Sequence, residues 1–302
     1  MLAGRPRRRG ATLVELVVTT VVGGLALTLV TVICLRQQRV FTDLAEQSAA
    51  YAQLRDAEAI LPIDVRAASS VAGDVRDARD TSIELRGIIA SAVVCDTASG
   101  VVVLAPATAD ARTYAGTSAA PAAGDTAWLL TADDTAEAWR PFRVAASGSF
   151  RAGPCAARGP QLGAAALASV RAVLSLDSLS PSLALGAPLR VTRPFRYSLY
   201  RGTDGNWYLG QRDWNTTTLR FNAIQPVSGP FLPPAAGGLA FRYLDSLGAT
   251  LATPVTNTRL IAGVHVDLRS ETRSATRALA SAARQGPRVD SAALWILLRN
   301  RR

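Results

Sequence analysis

The chain has 302 residues, enough for one large domain or two small ones. Apolar residues make up 49% and charged residues 19%, a globular balance, and a mean hydropathy of +0.17 fits one membrane segment on a soluble domain and argues against many spans. The net charge of +10 comes from arginine alone, since no lysine occurs; arginines such as Arg112, Arg171, Arg220 and Arg259 are scattered, which reads as a solvated surface and argues against a nucleic-acid site.

Met1 to Gly10 reads MLAGRPRRRG, a basic stretch without an apolar core of its own. An ordinary secretory signal places its apolar region before the cleavage site, so this stretch is of another kind. The apolar run comes after it, from Ala11 to Leu35, and Leu16 to Leu35 contains no charged side chain. As a helix those residues cover about 30 Å, the thickness of a bilayer core. Arg36 and Arg39 end the run, and Arg5, Arg7, Arg8 and Arg9 precede it. The positive-inside tendency then keeps residues 1–10 cytoplasmic and exports the remainder of the chain beyond the span. Glu15 is the one charge that intrudes, and a carboxylate entering hydrocarbon is costly unless it serves a function. Gly23-Gly24 and Thr19-Thr20 lie in the same run, where small residues let helices approach closely and also weaken the helix.

Gly10-Ala11-Thr12-Leu13-Val14-Glu15-Leu16, with arginines before it and an uninterrupted span after it, resembles the leader and cleavage motif of type IV pilins and type II secretion pseudopilins. The resemblance implies that a prepilin peptidase cuts after Gly10 and methylates the new N-terminus at Ala11, where the family usually carries phenylalanine. It also implies that Glu15 is an assembly residue, fifth in the mature chain. The carried-over role has a physical basis. A buried carboxylate is tolerable when it meets a neighbour's α-ammonium, and such a pair sets the register of subunits bundled by their apolar helices.

After Arg36 the sequence stays helical and turns amphipathic. Val40, Leu44, Tyr51, Leu54 and Ile60-Leu61 form a stripe at three-to-four spacing over residues 36–68, and Pro62 is expected to kink or interrupt it. Leu61-Pro62-Ile63-Asp64-Val65-Arg66 resembles the stretch that closes this helix in PilW-like and J-type minor subunits.

From about Ser82 the signals are those of strands. Ile83–Leu85, Ala92–Val94, Val101–Leu104, Asp125–Leu130 and Phe142–Ala145 read as short separate runs. Residues 105–124 and 153–162 read as surface loops. The clearest hairpin runs from Arg196 to Arg212 around Asp204-Gly205. Next come Leu239-Phe241-Tyr243, a turn at Ser246-Leu247-Gly248, Ile261 to Leu268 and a last strand from Ala293 to Asn300. That order resembles the C-terminal half of PilW-like proteins. Cys34 lies in the apolar run, and Cys95 and Cys155, left together in an exported part, are candidates for one disulfide; the alternative is two unpaired buried thiols.

No catalytic set appears. His265 is the single histidine, set between Val264 and Val266 on a strand, and it lacks a nucleophile partner by pattern. Asp74, Asp77 and Asp80, and separately Asp133-Asp134, are weak candidates for calcium, as in some pseudopilins; interleaved arginines argue against the first and shortness against the second. Gly237-Gly238 lacks the lysine of a phosphate loop, and Asn215-Thr216-Thr217 fits a glycosylation sequon.

The expected architecture is therefore α+β with a type IV pilin-like fold, a long N-terminal helix packed on an antiparallel β-sheet head. Residues 1–10 are the leader, 11–35 the membrane helix, 36–68 its amphipathic half and 69–302 the exported head. The resemblance implies no enzyme activity, no cofactor and no metal. It implies an inner-membrane location and then a pilus or pseudopilus, with other pilin or pseudopilin subunits, a prepilin peptidase and an inner-membrane assembly platform as partners. Two other readings compete: an uncleaved single-pass anchored binding protein, and a DNA-uptake pilin that grips phosphates through head arginines.

Overall fold

The computed structural model describes residues 12–98, 100–104, 116–117, 119–133, 136–146, 150–151, 171–177, 185–275 and 287–299. It is α+β: one long N-terminal apolar helix and antiparallel sheets. By internal packing the chain forms two units, residues 1–52 with 271–289, and residues 53–270 with 290–302.

Helix α1 runs from Leu13 to Ala67, 55 residues or about 80 Å. Its stretch in the second unit buries Leu54, Ala57, Leu61 and Val65, each 4% exposed or less, at the three-to-four spacing of one helix face. Pro62 lies inside the helix, which continues five residues past it. The expected interruption does not occur. A proline removes one backbone donor and costs about 3 kcal/mol, and fully burying a leucine and a valine on either side returns a comparable amount. Leu44 and Tyr51, expected on the buried stripe, are 56% and 43% exposed. Ala57 and Ala68, too small to stand out in the sequence, are buried instead.

The first sheet has twelve strands: β1 (Val75–Ala78), β2 (Ser82–Ala98), β3 (Val101–Leu104), β4 (Gly116–Thr117), β5 (Thr126–Asp133), β6 (Ala136–Ala146), β7 (Phe150–Arg151), β8 (Arg171–Leu176), β9 (Pro188–Arg201), β10 (Trp207–Asn215), β11 (Arg220–Phe221) and β12 (Gln225–Phe231). A second sheet of four has the order β14-β13-β15-β16, from β13 (Leu239–Leu244), β14 (Thr250–Leu251), β15 (Gly263–Ala275) and β16 (Pro287–Leu297). The Arg196–Arg212 hairpin is present, with Tyr197 opposite Gln211 and Leu199 opposite Leu209. The two short runs Ile83–Leu85 and Ala92–Val94 are one strand of 17 residues, β2.

The long strands β2 and β9 pair along eleven positions, from Ser82 opposite Ser198 to Val93 opposite Pro188. Their outer halves serve different cores. Ile83, Leu85, Phe195 and Tyr197 pack with the α1 stripe, Phe231, and the inner face of the second sheet. Ala90, Ala92, Val94, Leu189 and Val191 belong to another cluster. There the strands close on themselves: β2 pairs β3, β3 pairs β8, β8 pairs β6, β6 pairs β5, β5 pairs β9, and β9 pairs β2, every pairing antiparallel. The result is a six-stranded barrel inserted between β2 and β9. Its interior takes every second residue, such as Val102 and Leu104, Ala127 and Leu129, Phe142 and Val144, Leu174 and Leu176. A ring this narrow has an interior occupied by side chains.

Candidate functional site: an apolar helix and what anchors it

From Leu13 to Leu35 the side chains of α1 are exposed all round; Leu13 is 81% exposed, and Val22, Leu25 and Leu27 are each above half. An all-round apolar helix stays in water only at great cost, so this one has the character of a segment buried in lipid or among other helices. It is long and apolar enough to cross a membrane, and none of its most apolar 18-residue window is buried inside the protein.

The polar groups within it are settled locally. Thr19 donates its hydroxyl to the carbonyls of Glu15 and Leu16, Thr20 to those of Leu16 and Val17, Thr28 to Gly24 and Thr31 to Leu27. Each threonine thus has its donor satisfied within the helix, which avoids the cost of an orphaned hydroxyl wherever the helix is removed from water. Gly23 and Gly24 face open space, so nothing among the described residues requires a glycine there.

Glu15 stands in the first turn of α1. Its backbone N–H donates to the Thr12 hydroxyl at 3.3 Å. Thr12-Leu13-Val14-Glu15 therefore forms the N-terminal half of a capping box, with threonine as cap and glutamate at the third helical position. This local contact was legible in the sequence as a threonine followed three residues later by glutamate, and it engages the backbone of Glu15. Gly10 and Ala11, the expected cleavage pair, lie outside the described residues.

Where α1 meets the head, a buried polar clasp fixes it. The Tyr197 hydroxyl donates to Asp64 Oδ2 at 2.6 Å, and the tyrosine ring is fully buried. Burial first, and then the neighbouring carboxylate, push the Tyr197 phenol far above its ordinary range. Ser228 adds a hydroxyl donated to the Gln53 carbonyl. Asp64, which belongs to the helix-closing stretch 61–66, is thus engaged within the fold.

The arginines are less solvated than their scatter suggests. Arg193 grips the fully buried Asp125 through Nε and Nη2 at 2.8 and 2.7 Å, which holds its guanidinium above its usual pKa. Arg196 donates to Glu84 at 2.6 Å and lies over the Phe221 ring. Arg190 sits between the Trp128 and Trp139 rings at 5.5 and 4.9 Å.

Asp74 accepts from the Ser69 N–H, and Asp77 pairs with Arg79 at 2.8 Å, so these carboxylates are used within the fold. Among the described residues no group of three or more His, Cys, Asp or Glu comes together to hold a metal; Asp134 lies outside them. His265 is buried, packed at a tilt against the Trp295 ring with centroids 4.1 Å apart, and lies 3.5 Å from Asp267, which itself pairs with Arg242 at 2.9 Å. No nucleophile accompanies it in those contacts. A cleft of about 440 Å³ is lined by Gly124, Arg143, Asp177, Thr216 and Leu219 among others; among the described residues its ionisable groups are Arg143 and Asp177, and Asp177 accepts the Arg143 backbone N–H. Asn215 of the sequon accepts from Thr217 and Thr218 N–H groups in an Asx turn. Cys95 is fully buried and disulfide-bonded, Cys34 is free and exposed, and Cys155 lies outside the described residues.

Comparison with known proteins gave no match: no family model, no curated protein and no solved structure resembles the chain closely enough to count.

Proposed function

We propose that the protein is a structural subunit of a pilus-like fibre, a type IV minor pilin that initiates the fibre or lies near its tip, inserted through α1 after removal of the residues up to Gly10. A type II secretion minor pseudopilin of the J type is the nearest alternative, and neighbouring genes separate the two. The observation that carries the reading is the division of one helix. Its N-terminal stretch is apolar on every side and bears a single acid, Glu15, while its C-terminal stretch is amphipathic and packed. A monomer has no use for the first stretch outside a membrane, and a bundle of such helices gives the acid a partner in a neighbour's freed amine. A large β-rich head with an inserted barrel fits a tip better than a repeating shaft, where bulk hinders packing.

An uncleaved anchored binding protein shares the helix and differs at the N-terminus. Mass measurement of the purified chain, with and without a prepilin peptidase, decides between them: processing removes MLAGRPRRRG, and an intact N-terminus in the presence of the enzyme overturns the fibre reading. The DNA-uptake reading is weakened because Arg190, Arg193 and Arg196 are already engaged by indole rings and carboxylates.

Glu15→Gln removes the charge and keeps the backbone N–H that meets the Thr12 hydroxyl. The expected outcome is normal insertion and helix content with fibre incorporation reduced tenfold or more, read by sheared-fibre immunoblot. Incorporation equal to wild type in Glu15→Gln would overturn the pairing of this acid with a neighbour's amine.

A further inference from the structure

On β2, β9, β5 and β6 the residues that do not enter the barrel core alternate onto its outer face. The registers set Ser91, Arg190, Trp128 and Pro141 in one row across the four strands. The rows on either side run from Val93 to Trp139 and from Ile88 to Arg143. These three rows contain two arginines, two tryptophans and no acid. Arg143 is exposed at the margin, whereas Arg190 is half-buried at the centre.

Arg190 is held there by rings. Its guanidinium lies 5.5 Å from the Trp128 centroid and 4.9 Å from that of Trp139. Trp128 is itself fixed, since its indole N–H donates to the Thr192 hydroxyl at 3.1 Å and the residue is 7% exposed. Among the described residues no carboxylate pairs with Arg190, and its buried Nε has no hydrogen-bond partner. The acids of the adjoining strand positions are taken by other arginines: Glu84 by Arg76 and Arg196, and Asp125 by Arg193. Contact with indole faces offsets only part of what a guanidinium loses when it leaves water without a counter-charge.

We propose that Arg190 and its two tryptophans are a docking site for a carboxylate side chain of another protein, carried in an apolar segment. The site sets the occupant's chemistry. The rings occupy the faces of the guanidinium and leave its N–H edge for an acceptor, and a carboxylate matches that edge with two oxygens. Ile88 and Trp139, 43% and 40% exposed, supply apolar surface on either side, so the residues next to the acid are apolar. Tryptophan and arginine together in a partly desolvated patch are the anchors that concentrate energy in protein interfaces. A phosphate backbone needs cations repeated along a track, and this patch offers one central guanidinium. The inference stands apart from the membrane helix and from N-terminal processing, and holds for an uncleaved chain as well.

The test uses the full-length chain in its native cells, with a benzophenone amino acid at position 88 or, as control, at Leu247, which is 92% exposed on a turn. The expected result is a protein adduct at 88 and none at 247, with the crosslinked peptide bearing an Asp or Glu between apolar residues. Arg190→Gln should reduce the adduct at least tenfold, and Arg190→Glu combined with arginine at the partner's acid should restore it. Pro141→Glu keeps Arg190 and both rings and offers a carboxylate from the chain itself. It should reduce the adduct at least tenfold, and it keeps the test decisive if the Arg190 variants fail to fold. No adduct at 88, equal adducts at 88 and 247, a crosslinked peptide without an acid, a nucleic-acid or lipid adduct, or an undiminished adduct in Pro141→Glu overturns the proposal.

Discussion

Tyr197 and Tyr243 hold their protons by burial. Tyr197 donates its hydroxyl proton to a hydrogen bond with Asp64, and the Tyr243 hydroxyl lies 2.9 Å from the Arg79 carbonyl and 3.1 Å from that of Ser82. Both phenols are raised far above their ordinary range, desolvation being the first cause in each. Below about pH 10 both states are protonated and the stabilisation is complete. Above it the unfolded chain loses protons that the folded chain keeps, so stability falls as pH rises. Alkaline unfolding of the detergent-solubilised chain should therefore steepen above about pH 10, and Tyr197→Phe with Tyr243→Phe should flatten that loss. An unchanged pH profile in the double variant would show that the phenols do not govern it. Asp125 poses the complementary case, a fully buried carboxylate held by Arg193 and by the Ala122 N–H. Asp125→Ala leaves the Arg193 charge without its partner, and we expect a loss of about 3–5 kcal/mol in denaturant titration. A loss under about 1 kcal/mol would mean that water reaches the guanidinium.

At the scale of elements, the decisive irregularity is the bulge in β2. The pairing with β9 shifts between Ile88 and Ala90. Before it the inward residues are Ile83 and Leu85; after it they are Ala90, Ala92 and Val94. The inward parity changes from odd to even, yet each stays opposite an inward residue of β9: Leu85 faces Phe195, and Ala90 faces Val191. Deleting Ile89 would make the pairing with β9 continuous and leave Ala90, Ala92 and Val94 facing inward opposite their present partners, because it removes the one residue that the bulge adds. The expected outcome is a barrel that still resists protease and keeps the near-ultraviolet signal of Trp128. Rapid cleavage within the barrel of that variant would show that the bulge itself is needed for closure. The same bulge explains what the sequence could and could not tell. The helix was legible because its apolar run and its three-to-four stripe are local, and the hairpin at Asp204-Gly205 was legible because its turn residues are adjacent. The length of β2 was not: its alternation breaks phase at the bulge, so one strand looked like two. The barrel was hidden further, because its closure joins β2 to β9 across about a hundred residues and no local pattern records a ring. Pro62 misled in the opposite direction, since a local rule against helix was overruled by tertiary burial on both sides. For the candidate site, Glu15 and the apolar run were visible, while the Asp64–Tyr197 clasp depended on two residues far apart in the chain.

For the molecule as a whole, the two stretches of α1 imply two different solvents. Residues 53–270 with 290–302 contain both hydrophobic clusters, the α1 stripe from Leu54 to Val65 among them. The exposed apolar residues from Leu13 to Leu35 belong to the other unit. A chain that begins at Gln53 keeps the buried face of the helix and discards the part that water rejects. It should therefore be soluble without detergent and elute as a folded species with a cooperative thermal transition. The full-length chain, by contrast, should require detergent or lipid, since each exposed valine or leucine left in water forgoes about 1.5–3 kcal/mol of burial and thirteen such positions lie between Leu13 and Leu35. Adding Leu61→Ala to the shortened chain should cost about 2–5 kcal/mol, because the removed side chain is fully buried between helix and sheets. If the shortened chain aggregates although the full-length protein is folded in detergent, the head depends on the first unit for more than membrane attachment. If it folds and Leu61→Ala leaves it undisturbed, the helix is not part of the head's core, and the division of α1 into a packed stretch and a free one loses its physical basis.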